Sequence, residues 1–186
     1  MRQYLVRLKI MIGSDQFKGG MGKLQTIIGD SSSLIYLSKV SLLRPYAQVV
    51  RLIISPQVYE ECMRRPWSND ARQIQDLVQE KRLAICPVPE ADQVVLPHLG
   101  AGEKSTIELY YLLKADAVMI DDRKGIKLCK RRRIPFLCAI LVPALLQRSH
   151  LLSGPDEVDR LIEKICQIGR YEGWIVQYAK EIAKIG

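Results

Sequence analysis

Apolar residues along this 186-residue chain follow two alternating patterns. Short runs rich in β-branched residues recur at Leu24–Ile28, Ala47–Ile54, Leu83–Cys86, Ala117–Ile120 and Ile134–Cys138, and each reads as a strand. Between them lie segments with helical periodicity. Gly29-Asp30-Ser31-Ser32-Ser33 is a capping-type sequence that opens a helix over Leu34–Val40, and Ser55-Pro56 starts another that carries Val58, Glu60, Glu61 and Met63. Further helices are predicted over Asn69–Lys81, from Glu103 to near Lys114 (apolar stripe Ile107, Tyr110, Tyr111, Leu113), and over Arg123–Arg132. Two more start at Pro155 and span Trp174–Lys184, with Val158, Leu161, Ile162 and Ile165 on one face of the first. Pro87–Gly102 holds three prolines and two glycines and reads as a loop.

Strands alternating with helices predict an α/β fold whose central, mostly parallel sheet is covered on both faces. Residues 1–24, ending in Lys18-Gly-Gly-Met-Gly-Lys23, are expected to form a loose arm. The main domain is expected over residues 25–150, and the helices of 151–186 are expected to pack on that same domain.

Composition narrows the function classes. Apolar residues make up 48% and charged residues 26%, as in an ordinary globular protein, which argues against disorder. No apolar run approaches the roughly 20 residues of a membrane helix. The first 20 residues contain Arg2, Arg7, Lys9, Asp15 and Lys18, which interrupt any signal-peptide core, so a cytoplasmic location is expected. The five cysteines, Cys62, Cys86, Cys129, Cys138 and Cys166, are scattered without a Cys-x-x-Cys pair, and are expected as reduced thiols rather than disulfides or zinc ligands. His98 and His150 lack metal-site spacing. Chemistry is therefore left to carboxylates.

Ligands of a parallel α/β sheet bind beyond the carboxyl ends of its strands. Asp30 directly follows the first strand, Asp121 and Asp122 follow Ala117–Ile120, Glu61 lies in the helix after the second strand, and Glu103 lies in a first helical turn. Each also fits a plain structural part. Asp30 suits a helix N-cap, Glu103 suits the helix dipole, and Glu60-Glu61 suits a solvated face. Their joint placement at strand ends is what suggests a site. Like charges brought together raise one another's pKa and oppose folding, a conflict that a divalent cation removes. Oxygen-only ligands suit Mg²⁺ or Mn²⁺, and such a centre suits phosphodiester hydrolysis.

Four segments then occur in order: Asp30-Ser-Ser-Ser-Leu-Ile-Tyr-Leu-Ser-Lys-Val, Ile54-Ser-Pro-Gln-Val-Tyr-Glu-Glu61, Gly100-Ala-Gly-Glu103, and Ala115-Asp-Ala-Val-Met-Ile-Asp-Asp-Arg-Lys124. Together they resemble the PIN domain, in the DUF3368 branch related to VapC-type toxins, over about residues 25–150. The resemblance implies a three-layer α/β/α sandwich and a Mg²⁺- or Mn²⁺-dependent ribonuclease. By motif, Asp30, Glu61, Glu103 and Asp122 match the catalytic acids, with Glu60 as the fallback for Glu61 and Ser32 as a supporting hydroxyl. Asp30, Glu103, Asp121 and Asp122 match the metal ligands. It further implies an RNA substrate, a cognate antitoxin protein and, as relatives commonly do, a homodimer. The chain departs from the pattern at Gly102-Glu103-Lys104-Ser105, where relatives commonly carry a second Glu, and at Cys138-Ala139, where a Gly-Thr pair is common.

Charge adds a location for the substrate. The net charge is +8, but seven of the 28 lysines and arginines lie between Arg123 and Arg133 with no acid among them, leaving 21 basic residues against 20 acidic ones. Lys124, Lys127 and Arg131 share one helical face and Arg123, Lys127 and Lys130 an overlapping one, with Ile126 and Leu128 inward. This helix leaves Asp121-Asp122 directly, so its cations are expected to hold phosphate. Aromatic content is only 6%, and no base-stacking platform is evident. Two functions follow: a metal-dependent endoribonuclease acting as the toxin of a toxin–antitoxin pair, or a catalytically weakened PIN-like module that binds RNA or protein. A small-molecule-binding doubly wound domain is the weaker third, because no GxGxxG or P-loop follows the first strand.

Overall fold

The most apolar short run, Thr26–Gly29, is buried along its whole length, as a strand must be when both faces of its sheet are covered. It forms β1, at the centre of a five-stranded parallel sheet of order β3-β2-β1-β4-β5, with β2 at Arg51–Ile54, β3 at Leu83–Ile85, β4 at Ala117–Met119 and β5 at Phe136–Leu137. The structure, a computed structural model, describes residues 25–90 and 99–184. The expected arm over residues 1–24 and half of the Pro87–Gly102 loop, residues 91–98, lie outside the described residues.

Each crossover between parallel strands is helical. α1 (Ser31–Lys39) and α2 (Leu43–Val49) join β1 to β2, and α3 (Pro56–Cys62) and α4 (Asn69–Gln79) join β2 to β3. α5 (Ala101–Leu113) returns the chain to β4, and α6 (Arg123–Arg132) leads to β5. A 3-10 turn (Ala139–Leu141) then leads into α7 (Val142–Arg148), α8 (Pro155–Ile168) and α9 (Gly173–Ala183). Helices flank the sheet to give the α/β/α sandwich. α8 and α9 pack on α7 and on the 3-10 turn, and Val158, Ile162, Ile165, Ile175 and Ile182 join the same apolar core as the strands.

Three elements differ from expectation. Ala47–Ile54 is not one strand: its first part is the end of α2. The physical reason is the spacing of Leu43, Tyr46, Ala47 and Val50, an i, i+3, i+4, i+7 set that is buried together, while the strand begins only at Arg51 and its β-branched pair is Ile53-Ile54. α5 begins at Ala101 rather than Glu103, and its inward face is Gly102, Ser105, Thr106 and Leu109 rather than the apolar stripe. Of that stripe only Ile107 is buried, with Tyr111 and Leu113 exposed. Small side chains face inward there because the start of α5 lies against the end of β1 and against α3: the Ser105 and Ser55 hydroxyls are 2.6 Å apart, and Thr106 donates to Gly29 O at 3.4 Å. β5 is shorter than Ile134–Cys138: Ile134 and Pro135 precede it, and Cys138 is the N-cap of the 3-10 turn that follows.

The strand order places the reversal of chain direction between β1 and β4. From β1 the chain builds outward through β2 and β3, then returns to lay β4 and β5 on the other side. Ile28 pairs with Ile53 on one side and Val118 on the other and has no exposed surface. Truncating Ile28→Ala therefore leaves a void in the middle of the sheet. It should lower stability by about 2–5 kcal/mol, read from denaturant unfolding at unchanged m-value.

Candidate active site

At the switch between β1 and β4 both chains leave the sheet on the same edge. The Asp30 amide still donates to Met119 O at 3.0 Å, so the residues after the two strands remain side by side. Asp30 is the N-cap of α1. Its extended backbone turns the carboxyl back over the helix, where Oδ1 accepts the Ser33 amide at 2.8 Å. The result is a carboxyl only 3% exposed.

Asp121 stands next to it. Its Oδ2 accepts the Ser33 hydroxyl at 2.6 Å, its Oδ1 accepts the Tyr171 hydroxyl at 2.6 Å, and the Ala139 amide lies 3.1 Å from both oxygens. Asp122 caps α6, accepting the Lys124 amide at 2.6 Å and the Gly125 amide at 3.0 Å. Gly125 allows this turn to lie tight on β4, since a Cβ there would fall 2.1 Å from Ile120 Cδ1. Glu103 sits in the first turn of α5 and accepts the Gly100 amide at 3.0 Å. Glu61, on α3, completes the ring: Oε2 accepts the Ser31 hydroxyl at 2.6 Å and Oε1 the Gly102 amide at 3.1 Å. Only glycine fits at 102, because a Cβ would come within 2.5–2.8 Å of the Glu61 carboxylate.

Electrostatics couple Asp30, Asp121, Glu103 and Asp122. Burial pushes the Asp30 carboxyl up to about 8, and the adjacent Asp121 and the more distant Glu103 add to the rise; Ser33 only partly offsets it. Burial also raises Asp121, against hydrogen bonds from Ser33, Tyr171 and Ala139. Glu103 is raised by partial burial and then by the neighbouring Asp122. The charged groups acting on Asp30 are thus acidic, and what relief it has comes from hydrogen bonds. Two phenols close the rim. Tyr171 is held far above its ordinary value by burial and by Asp121, and Tyr36 is raised by burial and by the charges of Asp121, Asp30 and Asp122.

Of the residues expected from sequence, Asp30, Glu61, Glu103, Asp121 and Asp122 converge. Glu60 does not: it is exposed on the solvent side of α3. Ser32 is partly exposed, and the hydroxyls that reach the carboxylates are Ser31 and Ser33 on either side of it. An N-cap carboxyl bonds the amide three residues on, so the cap geometry itself points to Ser33. Tyr171 was invisible in sequence. It lies 50 residues from Asp121 and is delivered by the α8–α9 connection, where Gly169 leaves room for the Tyr171 and Tyr36 rings.

On α6, Gly125, Ile126, Leu128 and Cys129 face the core, while Arg123, Lys124, Lys127 and Arg131 are exposed. Lys130 differs: its ammonium sits 4.1 Å from the Trp174 ring centroid, a cation–π contact that draws it toward α9.

A divalent cation is the natural partner of such a set, and the donors fit one in chemistry: oxygen only, sunk below the surface and mutually repelling. Among the described residues no three histidine, cysteine, aspartate or glutamate side chains are grouped closely enough to form a ready-made metal site. Among the described residues the cysteines are all free, and no helix is long and apolar enough to cross a membrane.

The comparison with known families matches residues 26–175 to DUF3368, described as a PIN domain. No curated protein matches the chain.

The raised Asp30 carboxyl has a consequence for stability. Folding favours its protonated form, so its contribution is full below about pH 4 and is lost as pH rises through about 8. Without divalent cations, the melting temperature should fall between about pH 5 and about pH 9. Asp30→Asn should flatten that fall, and Mg²⁺ should offset it most at high pH. Identical pH profiles for wild type and Asp30→Asn would exclude the buried charge.

Proposed function

Because this chain belongs to the DUF3368 family of PIN domains, whose members are in general nucleases, we propose that it is a Mg²⁺- or Mn²⁺-dependent endoribonuclease and the toxin of a toxin–antitoxin pair. The observation that carries this reading is the convergence of carboxylates from four separate segments at the switch between β1 and β4, with a helix of basic residues leaving the same point. The toxin assignment rests on the ordered motifs shared with the VapC-related branch, and its partners are RNA, a cognate antitoxin and a second copy of the chain.

The oxygens of Asp30, Glu103 and Asp122 are the ones that would hold the cation. Asp121 has both oxygens engaged by Ser33, Tyr171 and Ala139, so it backs the site with charge and fixes Ser33 beside Asp30. A cation bound there supplies Lewis-acid polarisation of a phosphodiester oxygen and a lower pKa for the attacking water. The protein's own residues do the rest. Glu61 ties the ends of α1, α3 and α5 together through Ser31 and Gly102. Arg123, Lys124 and Lys127 hold the phosphates on the Asp122 side.

Ser105 favours the second reading, a PIN-like module with weakened catalysis that acts by binding RNA or protein. Where relatives commonly have a second Glu, Ser105 is buried and hydrogen-bonded to Ser55, and it brings no charge to the site. The two readings separate on turnover. Cleavage of a defined RNA panel should require Mg²⁺ or Mn²⁺, stop with chelator, and drop by about 100-fold or more in Asp30→Asn and in Asp122→Asn. Salt-sensitive RNA binding without metal-dependent turnover would establish the binding module instead, and unchanged cleavage in both variants would exclude the named site.

A further inference from the structure

Trp67 is 72% exposed, the most open of the large apolar side chains among the described residues. It lies in the turn between α3 and α4, within Arg64-Arg65-Pro66-Trp67-Ser68. An apolar residue just before a helix N-cap normally packs on the residue at the fourth helical position, and that contact explains its presence. Here Ser68 is the N-cap and the fourth helical residue is Arg72, whose guanidinium donates instead to the Trp67 carbonyl at 3.1 Å. The indole is thus left out of the helix's own packing. The turn around it is nonetheless held firmly: Ser68 donates its hydroxyl (2.8 Å) and its amide (2.9 Å) to Arg65 O, and its hydroxyl accepts the Ala71 amide at 3.3 Å.

The surroundings are cationic and adjoin the carboxylate ring. Arg64, Arg65 and Arg72 are exposed in the same segment as Trp67, against a single acid, Asp70, between Arg64 and Arg72. The Arg64 guanidinium lies 4.0 Å from Glu61 Oε1, so this turn leaves the ring at Glu61 as α6 leaves it at Asp122. The order β2-β1-β4 puts those two exits on opposite sides of Asp30.

We propose that Trp67, with Arg64 and Arg65, is a second RNA-contacting surface, on which an unpaired base stacks while the two arginines meet its flanking phosphates. This rests on the ribonuclease reading above and adds a direction to it: the strand crosses the carboxylates from α6 to the α3–α4 turn. A flat aromatic ring takes any base, and guanidinium groups beside it add phosphate contacts, so the surface selects single-stranded over duplex RNA.

The chain has two tryptophans, so Trp174→Phe, which keeps an aromatic ring under Lys130, leaves Trp67 as sole reporter. The full chain in this background is titrated with an eight-nucleotide oligoadenylate, in chelator and again in Ca²⁺. Trp67 emission should be quenched saturably; with affinity read instead from the anisotropy of a fluorescein label on the oligonucleotide, Trp67→Ala should weaken binding roughly 5- to 100-fold, and Trp67→Phe should restore much of it. Arg64→Gln with Arg65→Gln should make binding less dependent on salt. Undiminished affinity by anisotropy in Trp67→Ala, together with Trp67 emission that does not change on binding in the parent background, overturns the surface and leaves the ribonuclease reading standing. Absence of binding in every variant, wild type included, overturns both. Emission that changes with protein concentration alone assigns the turn to self-association and overturns the proposal.

Discussion

A carboxyl group buried at the end of the central strand, beside a second carboxyl and relieved by hydrogen bonds rather than by a cationic neighbour, is the constraint around which this end of the molecule is arranged. Burying Asp30 and placing Asp121 next to it both oppose ionisation. Ser33 serves both groups at once, its amide on Asp30 and its hydroxyl on Asp121. The Tyr171 hydroxyl and the Ala139 amide complete the second carboxylate. A fold that only needed a helix cap at position 30 could have placed a serine there, with no charge to bury. Retaining the charge at the switch point of a parallel sheet, where ligands of such sheets bind, is what the proposed cation site requires.

The same end of the sheet sorts charge by sign. Acidic groups sit at the strand ends, in the last turn of α3 and in the first turn of α5, while the basic residues lie outward on α6 and, on the opposite side, on the turn between α3 and α4. In the proposed nuclease a polyanion would be drawn by the outer cations and repelled by the bare carboxylates, a repulsion that a bound divalent ion would reduce. The net charge of +8 is therefore a composite of two fields with opposite partners. Lys130, turned onto Trp174, shows that one basic side chain in the run serves the packing of α9 instead.

Much of this was legible in the sequence, and the limits have physical reasons. Strand ends and caps are local, so Asp30, Asp121 and Asp122 could be placed, and the basic helix was readable to its ends. Position 43–49 was not, because Leu43, Tyr46, Ala47 and Val50 run into the β-branched strand without a break, and their helical period is hidden by it. The inward face of α5 was misjudged because apolar periodicity assumes an apolar partner, whereas Ser105 and Thr106 pack on Ser55 and on the end of β1. Tyr171 carries no local signal, and the Gly100-Ala-Gly-Glu103 motif does not show that Gly102 meets Glu61. Each matters only through a residue at least 41 positions away in sequence that the fold brings within hydrogen-bond reach.

The central claim is that the buried carboxylates form a cation site whose ions compete with protons. Calorimetric titration with Mn²⁺ at pH 7, repeated in buffers of different ionisation enthalpy, counts the protons released per ion bound. With the Asp30 carboxyl held near pH 8 by its surroundings, binding should release close to one proton or more, and the release should largely vanish in Asp30→Asn. Binding without proton release, or of equal affinity in Asp30→Asn, would contradict it.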